Sequence, residues 1–175
     1  MPWARSKLAY VPERFLPPQW LTVRNYLKVA SRLYAQSWRK NQIVELMLEL
    51  GMKPSDLELP FNKCSKGMVQ KIGLIGALLS GRDLLILDEP MSGLDPFSRS
   101  QVKRQLKALK PRERTLLMCT HSLSDVEEFA DRLAILHEGR LRFIGTPEEW
   151  LKSTGADSLE NAFLASIGAT IEMVA

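Results

Sequence analysis

The first apolar run, Leu8-Ala9-Tyr10-Val11, stops at Pro12 and predicts a short strand. Residues 14–19 hold Pro17 and Pro18 and read as a loop. The period then changes. Val23, Tyr26, Leu27, Ala30 and Tyr34 recur at helical spacing behind Thr22, which suits an N-cap. Ile43, Leu46, Met47 and Leu50 share one face behind Asn41, read as the next cap. Gly51 and Pro54 close that helix. A third helix is expected over 66–79.

At Arg82 the pattern switches again. Leu84-Leu85-Ile86-Leu87 is a continuous apolar run between Asp83 and Asp88, the mark of a strand buried on both faces. A helix is expected over 97–109 with Val102, Leu106 and Leu109 inward, ended by Pro111. Thr115-Leu116-Leu117-Met118-Cys119 reads as a second buried strand. A short helix then carries Val126, Phe129 and Ala130. Residues 133–136 and 141–144 flank Glu138-Gly139 and read as a hairpin or two paired edge strands. Pro147 opens a helix in its first turn, and a last helix covers 159–167. Helices therefore come first, then a β-α-β-α-β array, which argues a parallel α/β core.

Composition narrows the class. Of 175 residues, 45% are hydrophobic and 25% charged, the balance of a globular domain rather than a disordered or fibrous chain. No apolar stretch approaches the ~20 residues of a spanning helix. Cys64 and Cys119 are too far apart in sequence for a metal or redox motif, which fits a reducing cytoplasm. Charge is uneven: residues 1–82 carry 13 Lys/Arg against 5 Asp/Glu, residues 83–175 carry 11 against 15. The basic half can face phosphates or a membrane surface. No Lys/Arg cluster is dense enough to argue nucleic acid.

The chemistry gathers at strand ends, where open α/β sheets bind ligands. The first buried strand ends in Asp88-Glu89-Pro90, the second in Thr120-His121-Ser122. Asp88 is placed to hold a hard cation directly or through water; Glu89 to orient or deprotonate a water; His121 to contact a phosphate. Before the strand, Ser65-Lys66-Gly67-Met68 opens a helix whose N-terminus favours anions. After it comes a tight turn, Ser92-Gly93-Leu94-Asp95-Pro96.

In this order these segments resemble the ATP-binding-cassette (ABC) ATPases. Ser65-Lys66-Gly67-Met68-Val69-Gln70-Lys71 is similar to the family signature, with Lys-Gly-Met for Gly-Gly-Gln, as in ABC-2-type exporters. Residues 84–90 resemble the Walker B strand, residues 92–96 the D-loop, His121 the switch histidine, and Tyr10-Val11-Pro12-Glu13 the strand end entering the Q-loop, with Glu13 or Gln19 near the glutamine position. The resemblance implies ATP and Mg²⁺ as cofactors, with Asp88 positioning Mg²⁺, Glu89 activating water and His121 sensing the γ-phosphate. It implies a second cassette, of the same or another chain. Ser65, Lys66, Gly67 and Met68 then touch the nucleotide held by that partner, and Ser92, Gly93, Leu94 and Asp95 lie at the interface. It also implies membrane-spanning permease subunits and a place at the inner face of the cell membrane.

One expected segment is missing. No G-x-x-x-x-G-K-[ST] loop, the family's Walker A, occurs in the sequence. The expected fold is therefore a partial P-loop NTPase core with a parallel sheet and a helical subdomain, without the N-terminal β-subdomain. Residues 1–20 form a remnant strand and Q-loop region, 21–81 the helical subdomain and 82–175 the α/β core. The expected function is the ATP-hydrolysing subunit of an ABC exporter, in a truncated chain inactive by itself. One alternative is a non-catalytic module lending its signature and D-loop to a complete cassette. Another is a chromosome-maintenance or DNA-repair ATPase lobe, which the lack of heptads before Cys64 disfavours.

Overall fold

In the computed structural model, which describes residues 7–109 and 114–168, three strands run parallel in the order β1 (Leu8–Val11), β2 (Leu84–Asp88), β3 (Thr115–Cys119). The chain divides between Cys119 and Thr120 into two compact units.

β2 is the centre of the first unit's sheet, hydrogen-bonded on both edges. Leu85 and Leu87 are fully buried, while Leu84, Ile86 and Asp88 are half-buried. The expectation of burial on both faces thus holds for one face of β2. It fails for β3, where Thr115, Leu117 and Cys119 are exposed and Leu116 and Met118 half-buried. Position explains this: β3 is an outer strand, pairing only with β2 among the described residues.

Between β1 and β2 lie α1 (Val23–Leu33), α2 (Lys40–Glu49), two 3₁₀ turns (Pro54–Glu58 and Phe61–Lys63) and α3 (Lys66–Leu78). Thr22 caps α1, its Oγ1 accepting from Asn25 N at 3.3 Å. The cap expected at Asn41 is not formed. Ile43 N already donates to Arg39 O (3.1 Å), so α2 starts at Lys40 with Arg39 at the cap, and Asn41 falls inside the first turn. Leu50 ends α2 and Gly51 follows at φ +68°, as a left-handed terminator should.

α1 and α3 approach closely because α3 presents glycine. A Cβ on Gly73 would lie 3.2 Å from Phe15 Cδ1, and one on Gly76 3.1 Å from the Tyr26 hydroxyl. Into that space fit Phe15, Tyr26 and Phe61, edge to face with centroids 5.1–6.3 Å apart. Burial there pushes the Tyr26 hydroxyl well above its ordinary range. Two arginines tie helices to sheet: Arg114 donates to Arg82 O (2.9 Å) and Leu78 O (3.0 Å), and Arg82 donates to Tyr34 O (3.0 Å). From β2 the chain enters α4 (Pro96–Lys107), with Val102, Leu106 and Leu109 buried as expected. Pro111 lies outside the described residues.

The second unit holds α5 (Leu123–Phe129), β4 (Leu133–His137), β5 (Arg140–Gly145), α6 (Pro147–Thr154) and α7 (Leu159–Ser166). β4 and β5 form their own antiparallel pair. The expected β-α-β-α-β order is present and the hairpin forms as read; β4 pairs with β5 and not with the β1-β2-β3 sheet among the described residues. Trp150, Leu159 and Ala162 make the core, with Phe143 stacked on Trp150. Trp150 Nε1 donates to Ser166 Oγ (2.9 Å), fastening α6 to α7. Thr146 and Glu149 form a reciprocal capping box around Pro147. No helix among the described residues is long and apolar enough to cross a membrane.

Candidate functional site

At the carboxyl end of β2, Asp88 stands opposite Cys119 of β3 and is half-buried. Glu89 N donates to Cys119 O (3.0 Å), and Glu89 O accepts from Ser92 N (3.0 Å), closing a tight turn. The turn forces Glu89 to φ +45°. A β-carbon in that region costs about 1 kcal/mol, so the strand end holds its second acid under strain.

The next glycine has a specific neighbour. Gly93 sits at φ +70°, and a Cβ there would meet Lys66 Cε and Nζ at 3.1 Å. The Lys66 side chain therefore lies along the turn. One residue on, a Cβ on Gly67 would touch Leu94 Cδ2 at 3.4 Å. Deeper along α3, Gln70 Nε2 donates to Pro90 O at 3.4 Å. The first turns of α3 are thus seated on residues 90–94. Ser65 caps α3 through Met68 N (3.2 Å), and both Ser65 and Lys66 are exposed.

Asp95 ends the turn and caps α4. Its Oδ1 accepts from Ser98 N (2.9 Å) and its Oδ2 from Ser98 Oγ (2.6 Å). These bonds, with attraction from Lys71, hold its carboxyl below the usual range. Lys71 is buried, and desolvation lowers its pKa against the pull of Asp95. Sequence reading missed Gln70 and Lys71 as supports of the turn. The signal was present: a polar pair just past the first turn of the capped end, where the helix runs on into Ile72, Leu74 and Ile75.

The structure therefore gathers Ser65, Lys66, Gly67 and Met68 with Ser92, Gly93, Leu94 and Asp95, beside the strand that ends in Asp88 and Glu89. His121 belongs to the second unit, two residues beyond β3, and is exposed. In that unit Thr120 Oγ1 accepts from Ser122 N (3.1 Å) and donates to the buried Asp125 (3.3 Å).

Among the described residues no three His, Cys, Asp or Glu converge as a metal site. A single strand-end aspartate with a neighbouring glutamate suits Mg²⁺ carried by a nucleotide, because Mg²⁺ keeps several waters and takes further ligands from phosphate oxygens. Two acids are too few to hold a free ion, and they suit a cation that brings further oxygen ligands with it.

A parallel sheet with acids at its central strand end, and a small-residue turn against a helix start, define an α/β nucleotide-binding class. A family model described as "AAA domain, putative AbiEii toxin, Type IV TA system" matches residues 32–125, just over half the chain. A solved structure titled as the ATP binding subunit of an ABC transporter superposes with a TM-score of 0.86 at 29% identity, over 93% of this chain and 69% of that one. An ABC transporter ATP-binding protein of Bacillus subtilis is 34% identical over 94% of this chain and 71% of its own length. One from Nostoc sp. is 34% identical over 85% of this chain and 45% of its own. A Nod factor export ATP-binding protein I of Rhizobium sp. is 33% identical over 82% and 48%. The chain belongs to the ABC transporter ATP-binding protein family. It spans about half the length of the Nostoc and Rhizobium relatives.

Proposed function

We propose that these residues form the hydrolytic and partner-facing side of an ABC ATPase site that drives export through separate membrane-spanning subunits. The observation that carries the reading is the seating of α3 on the turn after β2: Lys66 against Gly93 and Gly67 against Leu94. Asp88 would hold nucleotide-bound Mg²⁺, which would neutralise charge developing on the phosphates. Glu89 would orient the attacking water and accept its proton. His121, in the second unit, is the residue that the family resemblance assigns to the γ-phosphate. Ser65, Lys66, Gly67 and Met68 reach a nucleotide bound by a second cassette, with Ser92, Gly93, Leu94 and Asp95 at that interface. Export is carried over from the Rhizobium relative's name; the location that goes with it is the inner face of the cell membrane.

The 175 residues contain no Gly-rich loop with its Lys to cradle the β- and γ-phosphates. Phosphoryl transfer is positioning and charge stabilisation, so this polypeptide alone is inactive. Incubated with ATP and Mg²⁺, it releases phosphate no faster than buffer. Mg²⁺-dependent hydrolysis that Glu89→Gln abolishes would overturn this.

The lack of a phosphate cradle in these residues favours a second reading, in which the chain serves a complete cassette without hydrolysing ATP itself. Ser65→Arg then lowers the partner's ATPase rate and Glu89→Gln leaves it unchanged. Equal losses from both would return the base role to Glu89.

A further inference from the structure

Between Glu13 and Glu45 the chain has no acidic residue, yet it carries Arg14, Arg24, Lys28, Arg32, Arg39 and Lys40. The fold concentrates much of this charge. α1 turns Val23, Leu27 and Ala30 inward, so Lys28, Val29, Arg32 and Leu33 share the outward side at i, i+1, i+4 and i+5. Leu33 is 77% exposed and Val29 46%. The Lys28 ammonium lies 5.7 Å from the Trp38 ring centroid, which joins this side of α1 to the segment entering α2. There Trp38 and Arg39 to Gln42 line a shallow depression of about 330 Å³. Glu58, the acid that Lys28 and Lys40 act on, is already taken: Arg24 bonds it and holds its carboxyl below the usual range.

We infer that the outward side of α1 and the start of α2 form a docking surface for an anionic lipid bilayer. Cations alternating with exposed aliphatics, beside an aromatic ring, match the layered chemistry of a membrane interface. Lys and Arg meet headgroup phosphates, Val29 and Leu33 enter the acyl boundary, and Trp38 sits at headgroup level. Nucleic acid offers no comparable partner for Leu33, and an acidic protein segment would need apolar groups at the matching spacing. This inference stands on charge and exposure alone, so its failure would leave the nucleotide reading untouched.

Flotation of the full chain with vesicles tests it. The chain floats with phosphatidylglycerol/phosphatidylcholine vesicles and not with phosphatidylcholine alone. Lys28→Gln and Arg32→Gln each weaken partitioning about five-fold. Leu33→Ser weakens it at unchanged charge. Near 1 M salt, where the screening length is about 3 Å, most of the binding is lost. Arg140→Gln, an exposed cation of the second unit, changes nothing. Circular dichroism of each variant matches the parent, and Trp38→Phe removes a blue shift of tryptophan emission seen only with the anionic vesicles. Equal binding to both vesicle types overturns the inference, as does equal loss from Arg140→Gln and Arg32→Gln. So does vesicle binding untouched by the α1 substitutions while capture of an acidic peptide falls.

Discussion

Glu89 carries the clearest conflict between local preference and placement. Its backbone is left-handed, and glycine would sit there without the clash a β-carbon makes. Glu89→Gly is therefore more stable than Glu89→Ala by about 1 kcal/mol, since both lose the side chain and only Ala keeps the strain. Urea unfolding of the two variants measures it; equal midpoints would place the strain elsewhere. Asp95 gives a prediction in pH. Its folded pKa is depressed by the Ser98 bonds and Lys71, so its contribution is present above the ordinary aspartate range and fades as pH falls through the lower folded value. Asp95→Asn keeps the cap acceptor and removes the charge. It melts below the parent at neutral pH, and the gap closes on acidification below about pH 4. A constant gap would mean the ionised form is not what matters. The residue types at both positions were legible in the sequence. The strain at Glu89 was not, because it arises where the backbone turns to hydrogen-bond Cys119.

Elements with their own period were the most readable. α1, α3 and α4 appear where apolar spacing puts them, and the hairpin where Glu138-Gly139 puts it. What periodicity could not give was neighbourhood. A four-residue apolar run reads alike in a central or an outer strand, so β3 passed for a covered strand. The cap at Asn41 failed for a related reason: residue type favours a cap, but the register of the first hydrogen bond, from Ile43 to Arg39, decides it. Packing between elements also sets the costs of substitution. In the second unit, Trp150 is fully buried, stacks on Phe143 and bonds Ser166. Trp150→Ala costs roughly 3–5 kcal/mol by removing core volume and the tie between α6 and α7. Loss of the unit's cooperative thermal transition is the readout; a shift under about 1 kcal/mol would show that the cavity collapses.

For the whole molecule, fold class followed from the order of elements, since strand-helix-strand connections through apolar runs leave few arrangements other than a parallel sheet. The division at Cys119 had no sequence signal, because no proline- or glycine-rich linker marks it. The sheet's outer strand then sets solution behaviour. Leu117 is 54% exposed on β3, a strand with one edge unpaired among the described residues. Such edges template self-association. Leu117→Lys lowers light scattering of concentrated samples while leaving the melting temperature nearly unchanged; scattering that persists would put the sticky surface elsewhere. The hairpin tip has the opposite character. Glu138 and Gly139 both take positive φ in a two-residue turn, and a side-chain carbon added at Gly139 meets no described atom within 4 Å. That turn is therefore an insertion point. A short epitope or a fluorophore-bearing cysteine loop placed between Glu138 and Gly139 can report on the second unit in the living cell, with the Trp150 core left intact.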